Sequence, residues 1–231
     1  MKLIILAAGY GTRMYPLTIN KAKALLLIKN KLVLDYIIER IDSNLFNEII
    51  IVTNQKFYED FLDWKKSYAK NITIISDGST SPENALGWPR DLELGLENIN
   101  EDFLVISSDN VFGFSLSEMV KQFNNTPLIA ITKVESLEKA KKHGIVELRS
   151  NQIVSFEEKP IKPKSITKSI LCYLFPSEFK GLIKEYVKEK SKQHLIEWLL
   201  ERTKINSFYF NEYCHDIGDL QKYQELCEKG F

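Results

Sequence analysis

The chain contains 231 residues, of which 44% are hydrophobic and 27% are charged, as is ordinary for a soluble globular protein. Lys and Arg together number 31 and Asp and Glu also number 31, so the formal net charge is zero. No overall field therefore favours nucleic acid or an anionic membrane, and we expect neither as a partner.

Short apolar runs alternate with amphipathic stretches through the first 134 residues. The run at 2–7 is followed at once by Gly9 and Gly11, which favours a buried first strand over a signal peptide. Apolar runs of this kind predict strands of a sheet covered on both faces, at 2–7, 48–53, 71–75, 103–107 and 128–133. The stretches between them predict helices at 32–43, 56–68, 89–98 and 115–124. This alternation predicts an α/β fold with a doubly wound, mostly parallel, Rossmann-like sheet and helices on both faces.

The pattern changes after about residue 134. Two runs, 144–148 and 152–156, predict a hairpin that turns at Ser150 and Asn151. The other predicted strands are 168–174 and 205–210, and the other predicted helices are 177–190, 193–202 and 219–228. We expect a small antiparallel β insertion within one catalytic domain that covers residues 1–231.

The cysteines and the apolar segments bear on cellular location. Cys172, Cys214 and Cys227 lie far apart without CxxC spacing, which indicates free thiols rather than a zinc ribbon or a disulfide framework. No segment reaches the roughly 18 apolar residues that are needed to span a bilayer. We therefore expect a cytoplasmic protein.

The segment 6–18 has the composition of a phosphate-binding loop. A buried strand ends in small residues, and Gly9 and Gly11 then allow backbone N–H groups to approach phosphates closely. Ligands of open α/β sheets bind at the carboxyl ends of strands, where this loop must lie. Arg13 adds a cation with forked donors that suit phosphate oxygens. The loop is neither a Rossmann fingerprint, because Met14 stands where a third glycine is needed, nor a Walker loop, because no Gly-Lys-Ser/Thr follows.

This loop closely resembles the signature of the sugar-phosphate nucleotidyltransferases, which runs roughly L-A-A-G-x-G-T-R-x-x-P-L-T and then P-K-x-L-L-P. The second half is matched here at Lys23, whereas Ala22 and Leu27 replace the two prolines. Four further motifs follow in the family order and extend the resemblance over nearly the whole chain. They are Ser108-Asp109-Asn110, Gly144-Ile145-Val146, Phe156-Glu157-Glu158-Lys159-Pro160 and Asp216-Ile217-Gly218.

The resemblance implies a fold of the nucleotide-diphospho-sugar transferase type and an enzyme of nucleotide-sugar biosynthesis. In the family reaction, a phosphate oxygen of a sugar-1-phosphate attacks the α-phosphorus of a nucleoside triphosphate and releases pyrophosphate. Positioning and electrostatic stabilisation must supply most of the acceleration, which requires basic side chains and a divalent cation, expected to be Mg²⁺.

The resemblance also implies a role for each matched residue. Asp109 and Asp216 would be the Mg²⁺ ligands, since magnesium prefers a few carboxylates together with phosphate oxygens and water. The catalytic cations would be Arg13, Lys23 and Lys159. The phosphorylated substrate would contact Asp109, Gly144, Glu158 and Lys159. The nucleotide would contact Leu6, Ala7, Ala8, Gly9, Gly11, Thr12, Arg13, Lys23 and Gly87.

Two substrate identities are left open by the sequence. The segment expected to read the base contains Gly87 followed by Trp88 and Pro89, which departs from the small residues of the family and does not select CTP, UTP, dTTP or GTP. The phosphorylated partner is expected to be a sugar-1-phosphate. The alternative is a non-sugar alcohol phosphate of the phosphocholine or inositol phosphate type.

An alternative of another class is a catalytically inactive subunit that senses nucleotide-sugars or acts as a scaffold. The replacements at Ala22 and Leu27 and the unusual Trp88 favour it, but all the charged motif residues are retained. We expect a single transfer activity, without the C-terminal β-helix or acyltransferase domain of some relatives. Relatives often form dimers or tetramers, so the resemblance is compatible with a homo-oligomer.

Overall fold

The computed structural model describes residues 1–230, and the chain divides into two compact units. The first unit contains Met1–Leu116 and the segment from Glu212 onward, and the second contains Ser117–Asn211. The strands are β1 Lys2–Ala7, β2 Leu27–Ile28, β3 Lys31–Leu32, β4 Glu48–Thr53, β5 Ile72–Ser76, β6 Phe103–Ser107, β7 Asn110–Phe112, β8 Leu128–Lys133, β9 Gly144–Arg149, β10 Gln152–Glu158, β11 Thr167–Phe175, β12 Ile205–Tyr209 and β13 Cys214–Asp216. The helices are α1 Val33–Ile38, α2 Tyr58–Lys65, α3 Trp88–Gly95, α4 Leu116–Lys121, α5 Leu137–Ala140, α6 Phe179–Glu189, α7 Leu195–Leu200 and α8 Leu220–Lys229.

The first unit is built on four parallel strands in the order β5-β4-β1-β6. Ile5 on β1 lies between Ile51 on β4 and Ile106 on β6, and all three side chains are buried. The chain moves outward from β1 to β4 and β5 and then returns to β6 on the other side of β1. The strand order therefore reverses between β1 and β6, and in open α/β sheets ligands bind outside the carboxyl ends of the strands at this point.

The second unit contains a mixed sheet. β8 pairs with β12 in parallel and with β11 antiparallel, whereas β10 pairs antiparallel with both β12 and β9. The predicted hairpin at 144–156 is confirmed as β9 and β10, and Ser150 adopts a positive φ of 58° in its turn. The mostly parallel arrangement predicted for the sheet thus describes the first unit, while the second unit contains the antiparallel insertion.

The predicted helices exist, and all but the last, α8, are shorter than expected. The helix predicted at 32–43 ends at Ile38. Beyond it the backbone hydrogen bonds join residues three apart instead of four: the Arg40 N–H donates to the Ile37 carbonyl at 3.0 Å, and the Ile41 N–H donates to the Ile38 carbonyl at 3.2 Å. Two strand pairs, β2–β3 and β7–β13, were not predicted, since strands of two or three residues show no periodicity. Within residues 1–230, no helix combines the length and hydropathy that a membrane span requires.

Candidate active site

The glycine-rich loop follows β1 at the point where the strand order reverses. Gly11 adopts a left-handed conformation with φ 61° and ψ 34°, which glycine accepts without strain. Its carbonyl oxygen accepts hydrogen bonds from the Met14 N–H at 2.8 Å and the Thr18 hydroxyl at 2.7 Å. A Cβ at this position would lie 3.1 Å from Thr18 Cγ2. Both the backbone angle and the close packing therefore require glycine here.

The loop presents backbone donors to its surroundings. Within the described residues, the N–H groups of Gly9, Tyr10 and Gly11 make no hydrogen bond. Thr12 and Arg13 are exposed, and Arg13 forms no ion pair with any described residue. A row of unpaired N–H groups beside a free guanidinium is suited to binding an anion with several oxygens, such as a polyphosphate.

The strand side of the loop is rigidly anchored. Leu6, Ala7 and Ala8 are buried, so they offer ligands their backbone rather than their side chains. The side-chain amide of Asn54, which follows β4 and is fully buried, donates to the Ala8 carbonyl at 2.9 Å. The Asn54 oxygen accepts from the Phe57 N–H at 3.0 Å, so the anchor is itself fixed.

Lys23 and Asp109 form an ion pair next to this loop. Their side chains are only 14% and 25% exposed, respectively. The Ser107 hydroxyl donates to Asp109 Oδ1 at 2.5 Å, and Asn110 Nδ2 donates to the Ser107 oxygen at 2.6 Å. Burial alone would raise the pKa of Asp109, but the charge of Lys23 and the hydrogen bonds from Lys23 and Ser107 outweigh it and lower the pKa. Asp109 is therefore an ionised carboxylate in a fixed orientation.

The segment around Lys23 contains Ala22 and Leu27 at the two positions where the family motif has prolines. Ala22 has φ −60° and ψ 139°, which are angles that a proline also adopts. Its carbonyl accepts from the Leu25 N–H at 2.9 Å and starts the short 3₁₀ turn that contains Lys23. Leu27 lies at the start of β2 with 47% of its surface exposed. The backbone at Ala22 is therefore compatible with a proline, and Lys23 pairs with Asp109 in the presence of both replacements.

Asp216 lies on the strand that pairs with the segment after Asp109. β13 is antiparallel to β7, with Asp216 opposite Asn110, and the Ile217 N–H donates to the Asp109 carbonyl at 2.9 Å. The two aspartates predicted as metal ligands are thus on neighbouring strands, although 107 positions apart in sequence. Carboxylates are the ligands that Mg²⁺ takes from proteins, so these residues fit the ion. No group of three or more His, Cys, Asp or Glu side chains suited to a metal occurs within residues 1–230.

The substrate residues predicted in the second unit lie together on the β9–β10 hairpin. Gly144 lies opposite Glu158, and a Cβ on it would come within 2.7 Å of the Phe156 ring and 3.0 Å of Glu158 Oε2. Lys159 adopts a positive φ of 48°, which is uncommon for a residue other than glycine, and its N–H donates to the His143 carbonyl at 3.0 Å. Its ammonium lies 3.2 Å from Glu158 Oε1, and the two side chains are 60% and 41% exposed.

His194 caps the N-terminus of α7 and packs against this group. Its ring stacks on Phe156 with centroids 4.4 Å apart, and Nδ1 accepts from the Ile196 N–H at 3.2 Å. Burial lowers the pKa of His194, the charge of Glu158 raises it and the charge of Lys159 lowers it, with a net decrease. A neutral ring that accepts at Nδ1 carries its proton on Nε2.

Gly87 is the N-cap of α3 and has a positive φ of 84°, and its carbonyl accepts from the N–H groups of Arg90 and Asp91 at 3.0 and 3.1 Å. Pro89 lies in the first turn, as predicted for a helix start. The sequence predicted no role for Asp77, and for Asp91 only a place in the first turn of the helix, which the structure confirms. The available signal was that Asp77 directly follows β5, at the same edge of the sheet as the glycine-rich loop.

The comparisons with known proteins bear on this arrangement. The family model described as "Nucleotidyl transferase" matches residues 2–229. This chain belongs to that family. Bifunctional protein GlmU of Methanocaldococcus jannaschii is 30% identical over 223 residues, which are 94% of this chain and 51% of that protein. The catalytic subunit beta of mannose-1-phosphate guanylyltransferase of Xenopus tropicalis is 32% identical over 168 residues, which are 69% of this chain and 45% of that protein.

Membership of this family confirms the resemblance drawn from the sequence motifs. The chain spans about half the length of the curated relatives it matches. A crystal structure of a Bacillus anthracis protein assigned as a glucose-1-phosphate thymidylyltransferase, in complex with sucrose, superposes with a TM-score of 0.86 at 23% identity and covers all of this chain and 95% of that one. A UDP-glucose pyrophosphorylase complexed with UDP-glucose gives a TM-score of 0.80 at 21% identity over 98% of this chain and 97% of that one. These two structures confirm the predicted α/β fold.

Proposed function

We propose that this member of the nucleotidyl transferase family transfers a nucleoside monophosphate from a nucleoside triphosphate to a sugar-1-phosphate. The observation that supports this most is the ion pair of Lys23 and Asp109 beside a loop whose N–H groups at 9–11 have no partner within residues 1–230. Both elements flank the reversal of strand order in the first unit. The matched relatives include enzymes named for sugar-1-phosphate and UDP-glucose chemistry, which favours a sugar-1-phosphate over an alcohol phosphate.

In the proposed reaction, a phosphate oxygen of the sugar-1-phosphate forms a bond to the α-phosphorus. The bond from the α-phosphorus to the oxygen that bridges the α- and β-phosphates breaks, and pyrophosphate leaves with that electron pair. No proton transfer is required when the attacking phosphate is ionised. The protein therefore needs to align the two reactants and to stabilise negative charge on the oxygens around the α-phosphorus.

The glycine-rich loop and its two cations would hold the triphosphate. The N–H groups of Gly9 and Gly11 would contact phosphate oxygens, and Arg13 would neutralise the leaving pyrophosphate. Lys23 would move from Asp109 to a phosphate oxygen when the nucleotide binds, because a polyphosphate offers it more negative charge. Asp109 and Asp216 would hold the Mg²⁺ ion. When bound, the ion supplies charge neutralisation between phosphate oxygens.

The β9–β10 hairpin would bind the second substrate. Lys159 would pair with its phosphate, and Glu158 would accept hydrogen bonds from sugar hydroxyls. Gly144 leaves space beside Glu158 Oε2 that any side chain would fill. The left-handed backbone at Lys159 supports this role, since residues held in rarely populated conformations cluster at functional sites.

A pyrophosphate-release screen tests the proposal. CTP, UTP, dTTP and GTP would each be combined with Mg²⁺ and a panel of hexose-1-phosphates, phosphocholine and inositol phosphate. We expect release with at least one triphosphate and a sugar-1-phosphate. Release only with alcohol phosphates would replace the sugar substrate, and no release in any combination would favour the sensing or scaffold subunit.

A further inference from the structure

The side chain of Tyr10 is buried, although the residue lies in the middle of the glycine-rich loop. Tyr10 stands between Gly9 and Gly11, and its N–H belongs to the row of donors that have no partner within the described residues. The residue is only 5% exposed. Its ring centroid lies 6.4 Å from that of Phe57, and its hydroxyl oxygen lies 3.1 Å from Ser79 Oγ. Because the flanking glycines leave the backbone many conformations, a contact by this side chain bears on where the N–H groups point.

Ser79 is held from its other side by Asp77. The Asp77 carboxylate accepts from the Ser79 N–H at 2.7 Å, and the Ser79 hydroxyl oxygen lies 2.7 and 2.9 Å from its two oxygens. A serine hydroxyl has one proton, and an ionised carboxylate can only accept, so that proton points to Asp77. The Ser79 oxygen is then left as the acceptor for the Tyr10 hydroxyl. Tyr10 therefore donates to Ser79, and Ser79 donates to Asp77.

The backbones of Asp77 and Ser79 are fixed to the end of β4. The Asp77 N–H donates to the Thr53 carbonyl at 2.8 Å, and the Gln55 N–H donates to the Ser79 carbonyl at 2.8 Å. Thr53 is the last residue of β4, which pairs with β1. Ser79 is 3% exposed, so water has little access to its hydroxyl. The acceptor that Ser79 offers to Tyr10 therefore has a fixed position relative to the strand next to β1.

We propose that Ser79 is a positioning residue that fixes the glycine-rich loop through the hydroxyl of Tyr10. The hydrogen bond from Asn54 to the Ala8 carbonyl anchors the start of the loop and does not involve Ser79. Loss of the Tyr10 contact therefore loosens the middle of the loop without releasing the loop from the sheet. Donors that are already oriented bind an anion better than donors that must first be ordered. The effect on the loop stands by itself, whereas any effect on triphosphate binding rests on the proposed function.

Hydrogen–deuterium exchange of the ligand-free whole chain tests the effect on the loop. The Met14 and Tyr15 N–H groups close the loop by donating to the carbonyls of Gly11 and Thr12 at 2.8 and 3.3 Å. Tyr10→Phe removes only the hydroxyl and keeps the ring. In this variant we expect the Met14 and Tyr15 N–H groups to exchange about 5-fold faster, as for one lost hydrogen bond.

Two further variants make the exchange experiment specific. Ser79→Ala removes the acceptor and should accelerate exchange in the loop to the same degree as Tyr10→Phe. Tyr58→Phe is the matched control, since the Tyr58 hydroxyl makes no hydrogen bond within residues 1–230, and it should leave the loop unchanged. Peptides that cover 144–158 should not change in any variant.

Steady-state kinetics test the consequence for the reaction. In Tyr10→Phe and in Ser79→Ala, we expect KM for the triphosphate to rise roughly 5-fold, while kcat and KM for the sugar phosphate stay within about twofold. The double variant should show the same rise of roughly 5-fold, because both substitutions break one hydrogen bond. A role in overall stability alone would lower the amount of folded protein and leave KM unchanged.

Two results would overturn the proposal. The first is unchanged exchange of the loop in a folded Tyr10→Phe, which decides the question even where Ser79→Ala fails to fold. The second is a double variant whose KM for the triphosphate rises about 25-fold, since the two residues would then act separately. If the natural protein releases no pyrophosphate in the screen, the proposed function fails, and the exchange data still decide the role of Ser79.

Discussion

The two regions that contain the predicted site residues differ in how exposed their ion pairs are and in how many hydrogen bonds fix them. At the loop edge of the first unit, Lys23 and Asp109 are 14% and 25% exposed, and Asp109 has further partners in Ser107 and Asn110. On the β9–β10 hairpin, Lys159 and Glu158 are 60% and 41% exposed. A desolvated and bonded pair is already oriented before any ligand binds, whereas an exposed pair can adjust to its ligand. We therefore expect the loop edge to be more sensitive to substitution than the hairpin.

Among the substitutions considered, Lys23→Ala should cause the largest loss of kcat/KM. This change removes a cation from the proposed phosphate site and leaves the half-buried Asp109 carboxylate without its counter-charge. We expect kcat/KM to fall on the order of 10³–10⁴, because both losses act on one site. Lys21→Ala is the control, since Lys21 is exposed and lies two residues away. Circular dichroism would establish that the variant folds, and a folded Lys23→Ala with normal kcat/KM would contradict the proposed site.

Lys159→Ala should have a smaller effect, of a different kind. We expect a loss on the order of 10²–10³ in kcat/KM, as for removal of one stabilising donor. The loss should concern the sugar phosphate, while KM for the triphosphate stays unchanged. Lys162→Ala, an exposed lysine in the same loop, serves as the control. An unchanged rate for Lys159→Ala would remove this residue from the site and would leave the hairpin without a role.

The pH dependence of stability distinguishes Asp91 from the exposed acids. Its pKa is raised from 3.8 to about 7 on folding, so the folded state binds the proton more tightly than the unfolded state. The resulting stabilisation is complete at low pH and is lost as pH rises through 7, by about 2–3 kcal/mol between pH 5 and pH 8. Urea unfolding of the natural protein and of Asp91→Asn at both pH values measures it. Parallel pH profiles for the two proteins would contradict the assignment of the proton to Asp91.

The sequence predicted most of the fold because buried strands and amphipathic helices leave long, regular patterns. The runs at 2–7 and 103–107 coincide with β1 and β6. The β7–β13 pair has three residues in each strand and leaves no such pattern, yet it is what places Asp216 beside the segment of Asp109. The link between these two residues came from motif resemblance alone. Their joint role as metal ligands remains a prediction.

The buried polar residues Ser79 and Asp91 show where prediction from the sequence stopped. Asp77 and Ser79 stand in a polar segment that reads as an ordinary turn, and Asp91 reads as an acid in the first turn of a helix. Each local interpretation is correct for the backbone. The burial of Ser79 and Asp91 depends on how distant segments pack together, so it could not be derived from either segment alone.

The smallest effects are expected from substitutions of the two loop glycines. Gly11 is required for the conformation of the loop, whereas Gly9 is proposed to give the phosphates access to its backbone. Gly11→Ala places a Cβ at positive φ and 3.1 Å from Thr18 Cγ2, so it should lower the free energy of unfolding by about 1–2 kcal/mol. Gly9→Ala meets no atom within 4 Å and should leave the melting temperature unchanged. In the proposed function, its methyl group would still obstruct a phosphate, so KM for the triphosphate should rise. Thermal unfolding and kinetics of both variants test this separation. Equal losses of stability would show that Gly9 also serves the fold, and unchanged triphosphate binding by Gly9→Ala would place the phosphates away from this loop.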